Sequence, residues 1–270
     1  MTRKFFALLL MAASFSAVAR AQSSTQPSTQ SSTQSSTQSN MDLPDAPKPA
    51  PAPTLRNLPR NFLGGQRAIW TSPTRMSDAQ IFGGLIFVAA AGALGSKDSD
   101  IMRKHFLDTN TASHANTAST GLTGLFIAAP VAYYGFGRYR HNTESQQTGL
   151  MAGEAIADSL AINQVFKISS RRERPTVDNA RGKFFQSGVG FDSSFASNHS
   201  AIAWSSATVI ASESDSKLVK LAAYSLATGV SATRVVGRDH FPSDVFVSSA
   251  LGWMIGLYVH HRHHIDDYNY

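Results

Sequence analysis

Lys167 is followed by Arg174-Pro175, then Ser197-Asn198-His199, then Thr233-Arg234, His240 and Asp244. Lys167, Arg174 and Arg234 are cations, His199 and His240 are imidazoles, and Asp244 is a carboxylate. These are the parts needed to move a phosphoryl group without a metal. The cations neutralise the equatorial oxygens and one histidine attacks. The carboxylate orients the attacking ring, and the other histidine protonates the leaving oxygen.

Each stretch also has an ordinary reading. Lys167 and Arg174 are seven apart, two turns of a helix that persists to Pro175, so both would point from one face into one pocket. Alone, Lys167, Arg171, Arg172 and Arg174 read as a solvated basic face, as charge runs usually are. His199 follows Ser197-Asn198 at the start of an apolar run. A helix N-terminus there would offer free N–H groups and a positive dipole end to an oxyanion, or His199 would be a plain surface or capping residue. His240 and Asp244 are four apart and share a helical face, either as a base and its orienter or as a surface pair of small value. A turn containing Gly237 must bring Arg234 up to His240, because helical periodicity does not.

The elements that would position these groups are helix-sized apolar blocks. They run over Asp78–Leu94, opened by Ser77 as a cap, and over Gly121–Gly137, interrupted by Pro130. Glu144–Ile168, Ser197–Ala211, Lys217–Val236 and Phe241–His261 follow. Alternating strand patterns of useful length are absent. The expectation is an all-α fold, a single bundle of about six helices. The apolar runs are shorter than the ~20 residues a spanning helix needs, so a soluble or peripherally attached domain is favoured, with membrane-surface association left open.

Upstream, residues 1–21 read as a signal peptide: Arg3 and Lys4, an apolar run over Phe5–Val18, then Ala19-Arg20-Ala21 as a cleavage site. An N-terminal anchor is the alternative. Residues 22–60 read as linker. The Ser/Thr/Gln tract cannot offset its ordering entropy, and the proline-rich part is a semi-rigid spacer. The folded domain is expected over 61–265. The formal charge of +6 falls to +3 once Arg3, Lys4 and Arg20 are removed, so nucleic acid is not an expected partner. The chain has no cysteine, which excludes disulfides, a lipidated cysteine and thiolate chemistry. Export across the inner membrane to the periplasm or envelope is expected.

Together the three stretches resemble the signature of the phosphatidic acid phosphatase type 2 and haloperoxidase superfamily. That signature is Lys, six residues, Arg-Pro; then Pro-Ser-Gly-His; then Ser-Arg, five residues, His, three residues, Asp. The chain matches the first part fully and the third with Thr233 for serine. In the middle part Ala196 replaces proline and Asn198 replaces glycine. The resemblance covers 140–262 by motif. It implies a phosphoric monoester hydrolase acting on a phosphorylated small molecule or lipid, with no cofactor and no metal. His240 would be the nucleophile, forming a phosphohistidine; Asp244 would orient it and His199 would be the proton donor. Lys167, Arg174 and Arg234 would bind phosphate, with hydrogen bonds from Ser197 and Asn198. At Asn198 a side chain is expected to crowd the phosphate. A vanadate-dependent haloperoxidase, with vanadate in the same cage, is the alternative, as is a non-catalytic envelope protein keeping the fold. His260, His261, His263 and His264 read as a solvated tail end rather than a metal site.

Overall fold

The computed structural model describes residues 53–105 and 109–264, with only the backbone of His105 and Thr109 included. The expected signal peptide and residues 22–52 of the expected linker lie outside the described residues. Among the described residues eight α-helices follow one another: α1 (Leu58–Thr71), α2 (Asp78–Gly95), α3 (Asp98–His105) and α4 (Thr109–Arg140), then α5 (Thr143–Ser170), α6 (Asn198–Glu213), α7 (Lys217–Val236) and α8 (Pro242–His264). There is no strand among the described residues, so the fold is all-α, with eight helices rather than about six. The additional helices are α1 and α3. In α1, Pro59 stands in the first turn, where its missing N–H would have had no partner in any case, so a proline that reads as spacer opens a helix. In α3 the residues are mostly polar, and eight of them are too few for the pattern around Met102 to stand out.

Local signals account for several boundaries. Ser77 caps α2 with a reciprocal box, its side chain accepting from the Gln80 N–H while Gln80 Oε1 accepts from the Ser77 N–H. Asn142 caps α5 and Ser216 caps α7 through side-chain oxygens. Pro130 does not interrupt α4, contrary to expectation. It cannot donate to the Phe126 carbonyl one turn back, and that carbonyl accepts from Ser206 Oγ of α6 at 3.3 Å instead. A tertiary hydrogen bond thus takes the place of the missing helical one.

α6 is the hub, packed against α4, α5, α7 and α8. Its crossing with α8 is backbone-close: a Cβ on Gly252 would come within 2.7 Å of the Ala201 carbonyl, and one on Gly256 within 2.7 Å of the Ser205 carbonyl. Met151, Ala155, Phe166, Val209, Val247 and Val259 fill the space between α5, α6 and α8. α2 lies on the outside of α8, where Phe87 stacks on Phe246 with ring centres 5.3 Å apart. It buries only Gly84 and Ala91 and exposes Ile81, Phe82, Leu85 and Ile86. Among the described residues α2 is the one helix long and apolar enough to cross a membrane, and its exposure sets it apart from a core helix.

Candidate functional site

His240 lies in the turn between α7 and α8. Arg234 sits in the last turn of α7, and its carbonyl accepts from the N–H groups of Asp239 (3.2 Å) and His240 (3.3 Å). Arg238 takes a left-handed conformation within that turn, φ 60°. The imidazole is 2% exposed, and Nδ1 lies 2.6 Å from the Ser194 carbonyl oxygen. A carbonyl can only accept, so Nδ1 carries the proton and Nε2 keeps its lone pair. Burial, reinforced by Lys167, Arg234 and Arg174, holds the ring well below the usual histidine range, so it stays neutral.

The expected direct bond from Asp244 to His240 is not made: their nearest atoms are 3.9 Å apart. Asp244, fully buried, accepts instead from the Phe241 N–H (2.9 Å), Ser194 Oγ (2.5 Å) and Arg172 (2.5 Å). The reason is geometric. The carboxylate turns back to the free N–H groups at the start of α8 and cannot also reach the ring. Its hold on His240 is indirect, through Ser194, whose side chain it binds and whose carbonyl positions the ring.

Arg172 is the residue that the motif reading passes over as part of a basic face. It is 3% exposed and bridges two buried carboxylates, Asp98 of α3 at 2.7 Å and Asp244 at 2.5 Å. It also donates to Ser243 Oγ at 2.9 Å, and its guanidinium lies over the rings of Phe241 (4.1 Å) and Phe184 (4.7 Å). Asp98 further accepts from Ser243. Burial raises its pKa, against the opposing pull of Arg172 and the Ser243 hydrogen bonds. The fork of an arginine is what satisfies two carboxylates at once.

The helix carrying Lys167 does not persist to Pro175. It ends at Ser170, with Arg171 left-handed at φ 42° and its N–H bonded to the Lys167 carbonyl. Lys167 and Arg174 therefore do not share a helical face, and Arg174 reaches the site from the following loop. Lys167 is buried, donates to the Ser193 carbonyl, and is pushed down to about 8 by burial, with Arg174 the next cause. Arg174 forks onto Asp192 (2.7 and 3.1 Å) and meets Asp239 at 3.4 Å; Arg234 meets the other oxygen of Asp239 at 2.7 Å. Two arginines on a shared carboxylate show that this spot accepts an anion. Arg234 Nε is buried and has no hydrogen-bond partner among the described residues, which leaves a donor for an oxyanion.

Ser197 caps α6, its Oγ accepting from the Ser200 N–H at 3.5 Å, and its own N–H donates to Ser248 Oγ at 2.6 Å. His199 is half-buried in the first turn. Burial, with Arg234, Arg174 and Lys167 adding to it, pushes its imidazole down to about 4. The same three cations act on His199 and on His240, so the two rings share one positive field. Asn198 begins the helix and needs no left-handed backbone. Its Oδ1 is 3.4 Å from Asn163 Nδ2 of α5, so its side chain turns toward α5.

The connection from Thr176 to Ser194 borders this field. Val177, Phe185 and Phe191 on it are exposed, and Asp192 ties it to Arg174. A cavity of about 260 Å³ opens beside Arg172 and Ser243, walled by Val88, Ala91, Phe195 and Val247. A cavity of about 500 Å³ lies at the other end of the bundle, beside Arg60, Arg67, Arg262 and His263, away from this chemistry. Ser194 and Asp98 carry no sequence signal for their roles. For Arg172 the only signal is an arginine in a run that ends a helix.

Comparison with known proteins bears on residues 148–266, which match the model of the PAP2 superfamily. No curated protein matches the chain. The crystal structure of a transmembrane PAP2-type phosphatidylglycerolphosphate phosphatase from Bacillus subtilis is similar at 23% identity and a TM-score of 0.42, over 76% of this chain and 92% of that one. The family match spans Lys167, Arg174, Ser197, Asn198, His199, Arg234, His240 and Asp244, and residues 148–266 are a PAP2 superfamily domain.

Proposed function

We propose that this chain is a metal-independent phosphatase that hydrolyses lipid phosphates or other phosphomonoesters through a phosphohistidine. The observation that carries the reading is the His240 tautomer. With its Nδ1 proton given to the Ser194 carbonyl, Nε2 holds a free lone pair within the field of Lys167, Arg174 and Arg234. Nε2 attacks phosphorus as the P–O ester bond breaks, and the departing oxygen takes a proton from His199. Water then attacks the phosphohistidine with His199 as base, which releases inorganic phosphate and restores the neutral ring. With no anion bound, burial, and then the three cations, keep His199 unprotonated near neutral pH. An arriving phosphate offsets those charges and lets the ring take up the proton it must donate. The arginines and Lys167 supply the electrostatic stabilisation that a metal gives elsewhere. Ser197 offers its hydroxyl, and Asn198 its N–H at the start of the helix, to the oxyanion.

A lipid phosphate suits the surroundings best. The phosphate would meet the cations while its apolar part lies along Val177, Phe185 and Phe191 or in the cavity beside Arg172. The apolar outer face of α2 would hold the protein against the envelope membrane that presents such a substrate. The test is phosphate release from a lipid phosphate in vesicles and from a soluble ester, by wild type and by His240→Ala with its fold checked by circular dichroism. The variant is expected to lose activity by orders of magnitude, because groups acting as a unit fail together. Orthovanadate should compete with substrate and chelators should leave turnover unchanged. Near-normal release by folded His240→Ala, or loss in chelator restored by a divalent ion, refutes the mechanism. Bromide oxidation by peroxide in vanadate-loaded protein without phosphate release would select the haloperoxidase reading.

A further inference from the structure

Glu213, His260 and His264 form a cluster that the phosphate site does not use. Glu213 is the last residue of α6, and the two histidines stand one turn apart near the end of α8. One ligand atom from each lies within 4.8 Å of the others. α6 begins at the phosphate site and runs for 16 residues, so at ~1.5 Å per residue the cluster is about 24 Å from it.

Three features single out this cluster. His264 Nδ1 lies 2.9 Å from the His260 carbonyl, which can only accept, so in the neutral ring Nε2 is a bare lone pair. That lone pair faces Glu213 Oε1 at 3.6 Å, and either a proton on the ring or a cation held between the two electron-rich atoms satisfies them both. His260 Nδ1 lies 2.7 Å from the same carboxylate oxygen, and the two ring centres are 4.6 Å apart with the planes tilted by 31°. Finally, the carboxylate sits at the C-terminus of α6 and the imidazoles at the C-terminus of α8. Both are negative dipole ends, so an unneutralised Glu213 is disfavoured and a cation is favoured. The groups are largely but not wholly shielded, with side chains 14–25% exposed, which leaves a path for an ion.

We propose that Glu213, His260 and His264 bind one divalent transition-metal ion of the zinc class, which clasps the ends of α6 and α8. Two imidazole nitrogens and one carboxylate oxygen are a ligand set that zinc accepts, with a fourth position left for water. On binding, the neutral His260 ring changes tautomer: its proton passes through solvent from Nδ1 to Nε2, and the metal takes its place between Nδ1 and Glu213. The sequence hides this site because its third ligand lies 47 residues before His260.

The test uses the full chain without an affinity tag, titrated with zinc by calorimetry and with cobalt followed by its visible absorption. One ion per chain is expected, with the intense bands of a low-coordinate cobalt centre. Zinc should raise the melting temperature by several degrees. Glu213→Gln and His264→Ala should each weaken binding by about 100-fold or more, as loss of a direct ligand does. Both variants are checked for wild-type circular dichroism and phosphate release. A folded wild type that binds no zinc at micromolar concentrations overturns the proposal. So does undiminished binding by both variants, or a bound ion whose removal abolishes phosphate release, since either places the metal elsewhere. The proposal stands apart from the phosphatase reading, and inactive protein that still binds zinc here would leave it intact.

Discussion

Arg172→Met tests whether the candidate site is held by a buried ion network or only by its motif residues. The substitution keeps an unbranched apolar stem and removes the charge between Asp98 and Asp244, which are 1% and 0% exposed. Breaking a buried pair from one side costs about 3–5 kcal/mol. A second route gives a ceiling: the variant can fold with one carboxylate protonated. From the ordinary value of 3.8, that takes about 1.4 kcal/mol per pH unit, or roughly 4 kcal/mol at pH 7 and less than 2 at pH 5. The two estimates agree near 4 kcal/mol, a large share of a typical domain's 5–15. The sign follows. The variant's folded state has a carboxylate pKa above the unfolded one, so its stability is highest in acid and is lost as pH rises. Urea unfolding followed by circular dichroism should therefore show a deficit of roughly 4 kcal/mol at pH 7 that shrinks by more than half at pH 5. Arg172→Met combined with Asp98→Asn should recover part of the loss, because one stranded charge is gone. Turnover of the folded fraction should fall at least about tenfold, since Asp244 holds Ser194 and Ser194 holds the His240 ring. A variant within 1 kcal/mol of wild type at pH 7, or a deficit that ignores pH, refutes this reasoning.

Three further outcomes are expected. Lys167, lowered to about 8 by burial, is a cation below that pH, so kcat/KM should fall as pH rises through about 8, and Lys167→Met should abolish that limb of the profile. Asp158 of α5 is raised to about 7, chiefly by burial, so the native state holds its proton. The stability this contributes is present in acid and is lost as pH climbs from about 4 to about 7, up to ~4 kcal/mol. Asp158→Asn, which keeps the oxygen that accepts from Gln66, should flatten melting temperature across pH 5 to 8. Asn198→Gly should cost about 1 kcal/mol in urea unfolding and leave turnover on bulky esters unchanged, because the Asn198 side chain turns toward Asn163; faster turnover would mean that it crowds the phosphate after all.

What could be read from the sequence was what depends on neighbours along the chain. Ser77 with Gln80 and Ser216 with Val219 are contacts three residues apart, so the starts of α2 and α7 lie open in the letters. The all-α class follows from apolar blocks of helical length, and the spacing Arg234, His240, Asp244 belongs to one turn and the helix start after it. α1 was missed because Pro59 reads as the end of a spacer although it opens the helix, and α3 because eight residues are too short a run for its pattern to stand out. Tertiary structure alone decided the partners. Where the cations beyond Lys167 go turned on the left-handed end of α5 at Arg171, which sends Arg172 inward to Asp98 and Asp244 and lets Arg174 reach Asp192 and Asp239 from the loop. The group that orients His240 is a main-chain carbonyl, which every residue has and no motif can mark. Glu213 meets His260 only because Gly252 and Gly256 let α6 and α8 lie backbone to backbone along their length. A hydrogen bond spanning 46 residues, or an ion pair spanning 74, is set by how helices stack, and stacking depends on every side chain between them at once.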